Sequence, residues 1–249
     1  MKDEKNRLAA SDENGAAPEK AFENFWYHYK WPILIIAFFA VFFLISIAQM
    51  GTKKDYDAHM LYTGPAYLDG EVVADILTSV QKAADQAYNI AENPADHSGD
   101  GVLTFDFNKI VYVPTLTAEE YKENDIYFNG AENLSARGQF DNLIMIGEYV
   151  ILLLDKSLYD ETVGTGAFCK LSDVLDTVPE NAYDECGILL TDLSICAENG
   201  FRQLPDDTVL CCRTKSYVNA FNKKVQEDEL YDAQIALFRQ IVAYERTGE

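Results

Sequence analysis

Residues 31–48, from Trp31 to Ala48, read WPILIIAFFAVFFLISIA and carry no charge. At ~1.5 Å rise per residue, about 20 apolar residues cross a ~30 Å hydrocarbon core. The run reaches that length with its neighbours Gln49–Thr52. A soluble core helix alternates apolar and polar faces, whereas this stretch is apolar all round, as a membrane span is. The reading divides the 249 residues into a tail (1–21), an interfacial lead with a transmembrane helix (22–52), and an outer domain (53–249).

The flanks fit a span. Phe22, Phe25, Trp26, Tyr27, Tyr29 and Trp31 crowd its N-terminal side, where amphipathic rings favour the headgroup region. The tail holds Lys2, Lys5, Arg7, Lys20 and Lys30, against Lys53 and Lys54 just after the span. The positive-inside rule then puts the N-terminus in the cytoplasm and the C-terminal domain outside the plasma membrane. A cleaved signal peptide is the rival, because Ser46-Ile47-Ala48 resembles a small-residue cleavage site. The polar lead and the apolar run both exceed signal-peptide dimensions, and favour an uncleaved single-pass signal anchor. With no cysteine close behind the span, a lipid anchor is not indicated.

Of 41 acidic and 20 basic residues, only six and five fall in residues 1–51, so the remainder carries a net charge of −20. Phosphate backbones repel such a domain, which argues against nucleic acid as a partner. Solubility at a cell surface is the simplest use of the charge. The five cysteines are Cys169, Cys186, Cys196, Cys211 and Cys212, with no C-x-x-C pair, and the histidines are His28, His59 and His97. Zinc spacing is absent. Cys211 and Cys212, adjacent in an expected strand, should face opposite sides, so that at most one enters the core. Spacing leaves a Cys186–Cys196 disulfide open, and small buried hydrophobes are the plainer role for these thiols.

The tail lacks large apolar residues apart from Leu8 and should not fold. Beyond the span, Tyr56–Tyr62 reads as a strand ending at Thr63-Gly64-Pro65. Glu71–Ile90 has i, i+3, i+4 apolar spacing and reads as an amphipathic helix. Val102–Val113 reads as a strand in which Leu103, Phe105 and Phe107 alternate with polar residues, with a deeper segment or a bulge at Ile110–Val113. Short helices are expected at Thr117–Glu123, with Thr117 as N-cap, and at Ser135–Met145, stopped at Gly147. Tyr149–Leu154 is a continuous apolar run and reads as a central strand covered on both faces. Strands at Gly187–Leu190 and Thr208–Arg213 and a helix at Asp228–Arg246 complete one mixed-sheet α/β domain.

Asp96–Phe107 reads DHSGDGVLTFDF. Asp96, Ser98 and Asp100 match the first, third and fifth positions of a calcium loop, and Gly101 the sharp turn at the sixth. The closing Glu is replaced by Phe107, with Asp106 one place early. Calcium is the one cofactor suggested, and a plain polar turn is the alternative. The outer domain also holds 13 of the 15 tyrosines. Tyr62, Gly64, Tyr67 and Tyr127 fall near expected strand ends or loops, where an open α/β sheet binds ligands. The VGTGA stretch, Val163–Ala167, lacks both phosphate-loop and dinucleotide spacing.

The run FWYHYKW before the span, with DYDAHMLYTGP after it, resembles uncharacterised single-pass membrane-anchored proteins of Clostridia-type bacteria. SARGQFDNLIMIGEYVILLLDKSLYDE resembles the helix, Gly turn and buried strand of periplasmic type 2 solute-binding domains. The resemblance covers about residues 22–160 and implies a solute-binding-protein-like fold, with the strand's end contributing to a ligand cleft or hinge. The outer domain is much shorter than a two-lobed binding protein. Two function classes follow. One is a membrane-anchored extracytoplasmic binding or interaction module for a small molecule, sugar or protein, held in the bilayer by Trp31–Ala48. The other is an extracytoplasmic carboxylate-dependent hydrolase.

Overall fold

The computed structural model describes residues 16–50 (side chains 25–47), 56–88, 92–115, 119–120, 122, 129–215 and 228–245. Residues 1–15, Lys53, Lys54, the Thr117 N-cap and Tyr127 lie outside them. The chain forms two units, Met1–Lys54 and Asp55–Glu249.

The first unit is one helix, α1 (Ala16–Met50), with Pro32 inside it. Proline has no backbone N–H, so one i→i−4 bond is missing beside the aromatic flank. Phe25–Ile47 spans 23 residues, long and apolar enough to cross a membrane, with none of its most apolar stretch buried. At 1.5 Å per residue that is ~35 Å, more than a ~30 Å hydrocarbon core requires.

The second unit is mixed α/β. Its elements are β1 (Ala58–Gly64), α2 (Gly70–Ala87), β2 (Phe105–Val111), α3 (Gly130–Ile146), β3 (Ile151–Asp155), α4 (Lys156–Val163), α5 (Leu171–Val174), β4 (Gly187–Leu189), β5 (Thr208–Cys212) and α6 (Asp228–Ala243), with three short 3-10 turns between β4 and β5. The five strands form one sheet in the order β2-β1-β3-β5-β4. β1 is parallel to β2 and β3, and β5 is antiparallel to β3 and β4. β1 extends to Gly64, past the expected end, and α2 closes at Ala87 rather than Ile90. α3 ends where expected, at Gly147 with φ 80°, a left-handed C-cap that glycine adopts without a Cβ clash.

Helices cover both faces of the sheet. On one, Met60, Tyr62, Leu153 and Leu210 pack beneath Ile76 and Val80 of α2 and Ile235 and Phe238 of α6. On the other, Leu61, Leu152, Leu154 and Val209 pack beneath Phe140 of α3 and Leu158 and Tyr159 of α4. Of the two readings of Ile110–Val113, the unbroken register from Ala58↔Phe105 to Gly64↔Val111 excludes the bulge, and burial of Ile110 and Tyr112 in the opposite core from Phe107 fits the deeper segment. Cys211 and Cys212 do face opposite sides, yet both are fully buried, because β5 is an interior strand with a core on each side. All five cysteines are free thiols, so Cys186 and Cys196 are not bonded.

Candidate functional site

The order β2-β1-β3 has a direct consequence. The chain leaves β1 through α2 to reach the outer strand β2, then crosses back through α3 to β3 on the other side of β1. The carboxyl ends of β1 and β3 therefore flank a topological switch point, the place where open α/β sheets bind ligands.

The side chains there are polar and deeply placed. Tyr62 is buried, and its hydroxyl accepts the Ala66 N–H at 3.0 Å. Burial pushes its phenol pKa up, with Asp155 and Asp207 adding to the rise. Gly64 sits where an added Cβ would come within 2.7 Å of the Tyr62 hydroxyl, so glycine lets β1 pass close to that ring. Asp155 is 3% exposed and pairs in register with Thr208. Its carboxylate caps α4, accepting the N–H groups of Ser157 at 2.9 Å and Leu158 at 3.4 Å. Burial raises the Asp155 pKa above the ordinary carboxylate value, and the neighbouring charge of Asp207 adds to this. The hydroxyls of Thr63 and Thr208 are buried without a hydrogen-bond partner. A buried polar atom left unpaired forfeits its solvation, and Thr208 carries that cost directly opposite Asp155 in the strand register.

Tyr67, in the loop after β1, is 79% exposed. The Lys109 ammonium lies over its ring at 5.5 Å and donates to the Leu68 carbonyl. Tyr62, Gly64 and Tyr67 thus gather at the carboxyl end of β1. Asp155, Thr208 and Lys109 are the members that sequence reading missed. Asp155 carried one legible signal, an Asp directly after an apolar run and two residues before Ser157, which is an N-cap position.

The calcium-loop residues form a different structure. Asp96 accepts the Ser98 hydroxyl at 3.1 Å and the N–H groups of Gly99 at 2.7 Å and Gly101 at 2.9 Å. Asp100 accepts the Val102 N–H at 2.8 Å. Gly101 has φ 81°, the sharp turn that the sixth position requires. The loop is clasped from below by buried Asp57, which accepts the Ser98 N–H at 2.8 Å and the Thr104 N–H at 2.7 Å. Asp106 is engaged elsewhere: it accepts the Tyr149 hydroxyl at 2.9 Å and lies 3.3 Å from His59 Nδ1. Among the described residues, no group of three or more His, Cys, Asp or Glu is placed to hold a metal ion.

A surface cleft of about 840 Å³ lies along α2 and α6, lined by Tyr88, Asp176, Asp232, Arg239 and Gln240 among others. It is remote in topology from the strand ends. The Arg239 Nε there is engaged by the Val174 carbonyl, and Gln240 by Asn93 at 2.7 Å. The strand-end cluster, with its unpaired hydroxyl and raised carboxyl pKa, has the stronger chemical claim to be a site. Comparison with protein-family models, with curated proteins and with solved structures gives no match.

Proposed function

We propose that this chain is a single-pass membrane-anchored module whose acidic α/β domain, held outside the cell, binds a small polar ligand without chemically changing it. The observation that carries the reading is the switch point between β1 and β3, where buried Tyr62 and Asp155 and the unpaired Thr208 hydroxyl lie at the strand ends and exposed Tyr67 follows β1 in the loop. Aromatic faces with polar tips suit sugars and peptides. The strongly apolar helix Phe25–Ile47, with none of its most apolar stretch buried, supports the anchor. In this reading the domain is a reduced solute-binding fold, as the sequence resemblance implies.

Two experiments test it. Cysteines introduced at Ala16 and Glu180, in a chain with Cys169, Cys186 and Cys196 replaced by Ser, are treated with a membrane-impermeant thiol reagent in intact cells. Only the Glu180 position should label, and labelling at Ala16 alone would reverse the orientation. Thermal-shift screening of the full chain in detergent against sugars and peptides should give a stabilising ligand whose effect Tyr67→Ala removes. A hit indifferent to Tyr67 would place binding elsewhere.

A second reading, a carboxylate-dependent hydrolase, is favoured by the neighbouring Asp155 and Asp207, one of them with a raised pKa. Such hydrolysis uses two carboxyl groups that different surroundings set apart in proton affinity. Turnover of a bound ligand that is lost in Asp155→Asn, with binding retained, would select this reading.

A further inference from the structure

Cys169 and Cys212 lie 43 positions apart in sequence and opposite one another in space. Phe168 and Arg213 form an isolated antiparallel bridge, and the Cys169 N–H donates to the Cys212 carbonyl at 2.8 Å. Both side chains belong to the same core cluster. Residues so opposed in an antiparallel pair have Cα atoms ~5.5 Å apart, within the roughly 4.4–6.8 Å that a disulfide spans.

The surroundings favour reaction at one sulfur. The Cys169 Sγ lies 3.2 Å from both the Arg213 carbonyl and the Tyr231 hydroxyl. Arg213 is buried, and its guanidinium donates to the carbonyls of Ile144, Thr214 and Met145. Among the described residues it forms no ion pair with a carboxylate. The Cys212 thiol donating to Cys169 lowers the Cys169 pKa, and Tyr231 and the Arg213 charge act in the same direction. That same bond, with burial, pushes Cys212 up. The more exposed thiols are held the other way: burial and the charges of Asp184 and Glu185 raise Cys186, while burial and Asp206 raise Cys196. Cys169 keeps 7% of its surface exposed and Cys212 none, so a reagent from solvent meets Cys169 first.

We propose that Cys169 and Cys212 are a thiol–disulfide exchange site, which a small-molecule disulfide of the glutathione class converts into an intrachain bond. The Cys169 thiolate attacks one sulfur of the reagent, forming a mixed disulfide and expelling one thiolate. Cys212 gives its proton to that thiolate and attacks the Cys169 sulfur, expelling the second. Two protein S–H groups are oxidised, and the reagent leaves as two thiols, so electrons and protons balance. The bond ties the segment entering α5 to the end of β5. The thiolate is the attacking form of cysteine, and the lowered pKa of Cys169 favours it.

The full chain in detergent is treated with oxidised glutathione under native conditions. Remaining thiols are then alkylated, and the digest is mapped by mass spectrometry. The expected product is a Cys169–Cys212 linked peptide, with Cys186 and Cys196 still alkylated. Cys212→Ala should stop at a glutathione adduct on Cys169, and Cys169→Ala should leave Cys212 unmodified. The proposal is overturned if Cys186 or Cys196 reacts first, or if wild type keeps a stable adduct on Cys169. It also fails if Cys169 reacts only after denaturation. If Cys212→Ala does not fold, the wild-type map alone decides.

Discussion

Replacing Asp155 with Asn removes a charge while leaving a hydrogen-bond acceptor in place. In the folded chain the Asp155 pKa stands above the ordinary carboxylate value, chiefly through burial. The folded state therefore binds more protons than the unfolded state between the two pKa values. Stability falls as pH rises through that window and stays at the lower level above it. Each unit of the rise is worth about 1.4 kcal/mol, and Asn escapes this penalty entirely. Its side-chain oxygen can still accept the Ser157 and Leu158 N–H groups that Asp155 now caps. Asp155→Ala escapes the charge but loses the cap, at a cost of about 1 kcal/mol, with a range of roughly 0.5–2. At pH 7 the Asn variant should thus equal or exceed wild type and lie about 1 kcal/mol above Ala. The gap between Asn and wild type should close as pH approaches the carboxylate range. Urea unfolding of the full chain in detergent, followed by far-ultraviolet circular dichroism, measures this. Tryptophan emission would not, because Trp26 and Trp31 both lie in α1. If Asn and Ala are equally destabilised at pH 7, and their difference from wild type does not change with pH, the reasoning about Asp155 fails.

Two glycine substitutions should act in opposite directions. Gly200 has φ 83°, and an added Cβ would lie 2.4 Å from the Ile76 backbone nitrogen, so Gly200→Ala should lose at least the ~1–2 kcal/mol of left-handed strain in urea unfolding. Gly138 is exposed on α3 with nothing within 4 Å of such a Cβ, so Gly138→Ala should gain roughly 0.5–1 kcal/mol. Equal effects at the two positions would refute the packing around Gly200. For calcium, the turn around Asp96 and Asp100, without Asp106, predicts at most a weak site: millimolar calcium should raise the melting temperature by no more than about a few degrees, and Asp100→Ala should abolish any rise. An equal rise in the variant would mean diffuse screening of the acidic surface.

Much of the fold was legible because strong patterns act locally. The uninterrupted run 31–48, the Gly147 stop and the buried strand before Asp155 each rest on a handful of adjacent residues. What was illegible depended on partners distant in sequence. Alternation placed Cys211 and Cys212 on opposite sides but could not reveal that both sides are covered. The change of character at Ile110 left a deeper segment and a bulge open, and only the pairing with β1 excludes the bulge. Asp57 lies within a stretch that reads as strand, yet it organises a loop 41–47 residues away. At the candidate site, Tyr62, Gly64 and Tyr67 were singled out by their place near expected strand ends or loops. Thr208 and Lys109 were not, because only strand pairing brings them there.

The last helix closes the first strand. Gln234 of α6, itself fully buried, accepts the His59 N–H at 2.9 Å across a separation of 175 residues, and α6 supplies Ile235, Leu237, Phe238 and Ile241 to the core over β1 and β3. At a synthesis rate of about 5–20 residues per second, β1 waits roughly 9–35 s for that cover. During the interval its apolar face is open to chaperones, proteases and neighbouring chains. A nascent chain cut short before Asp228 would never end that wait, so damage at the carboxyl terminus exposes the opposite end of the domain.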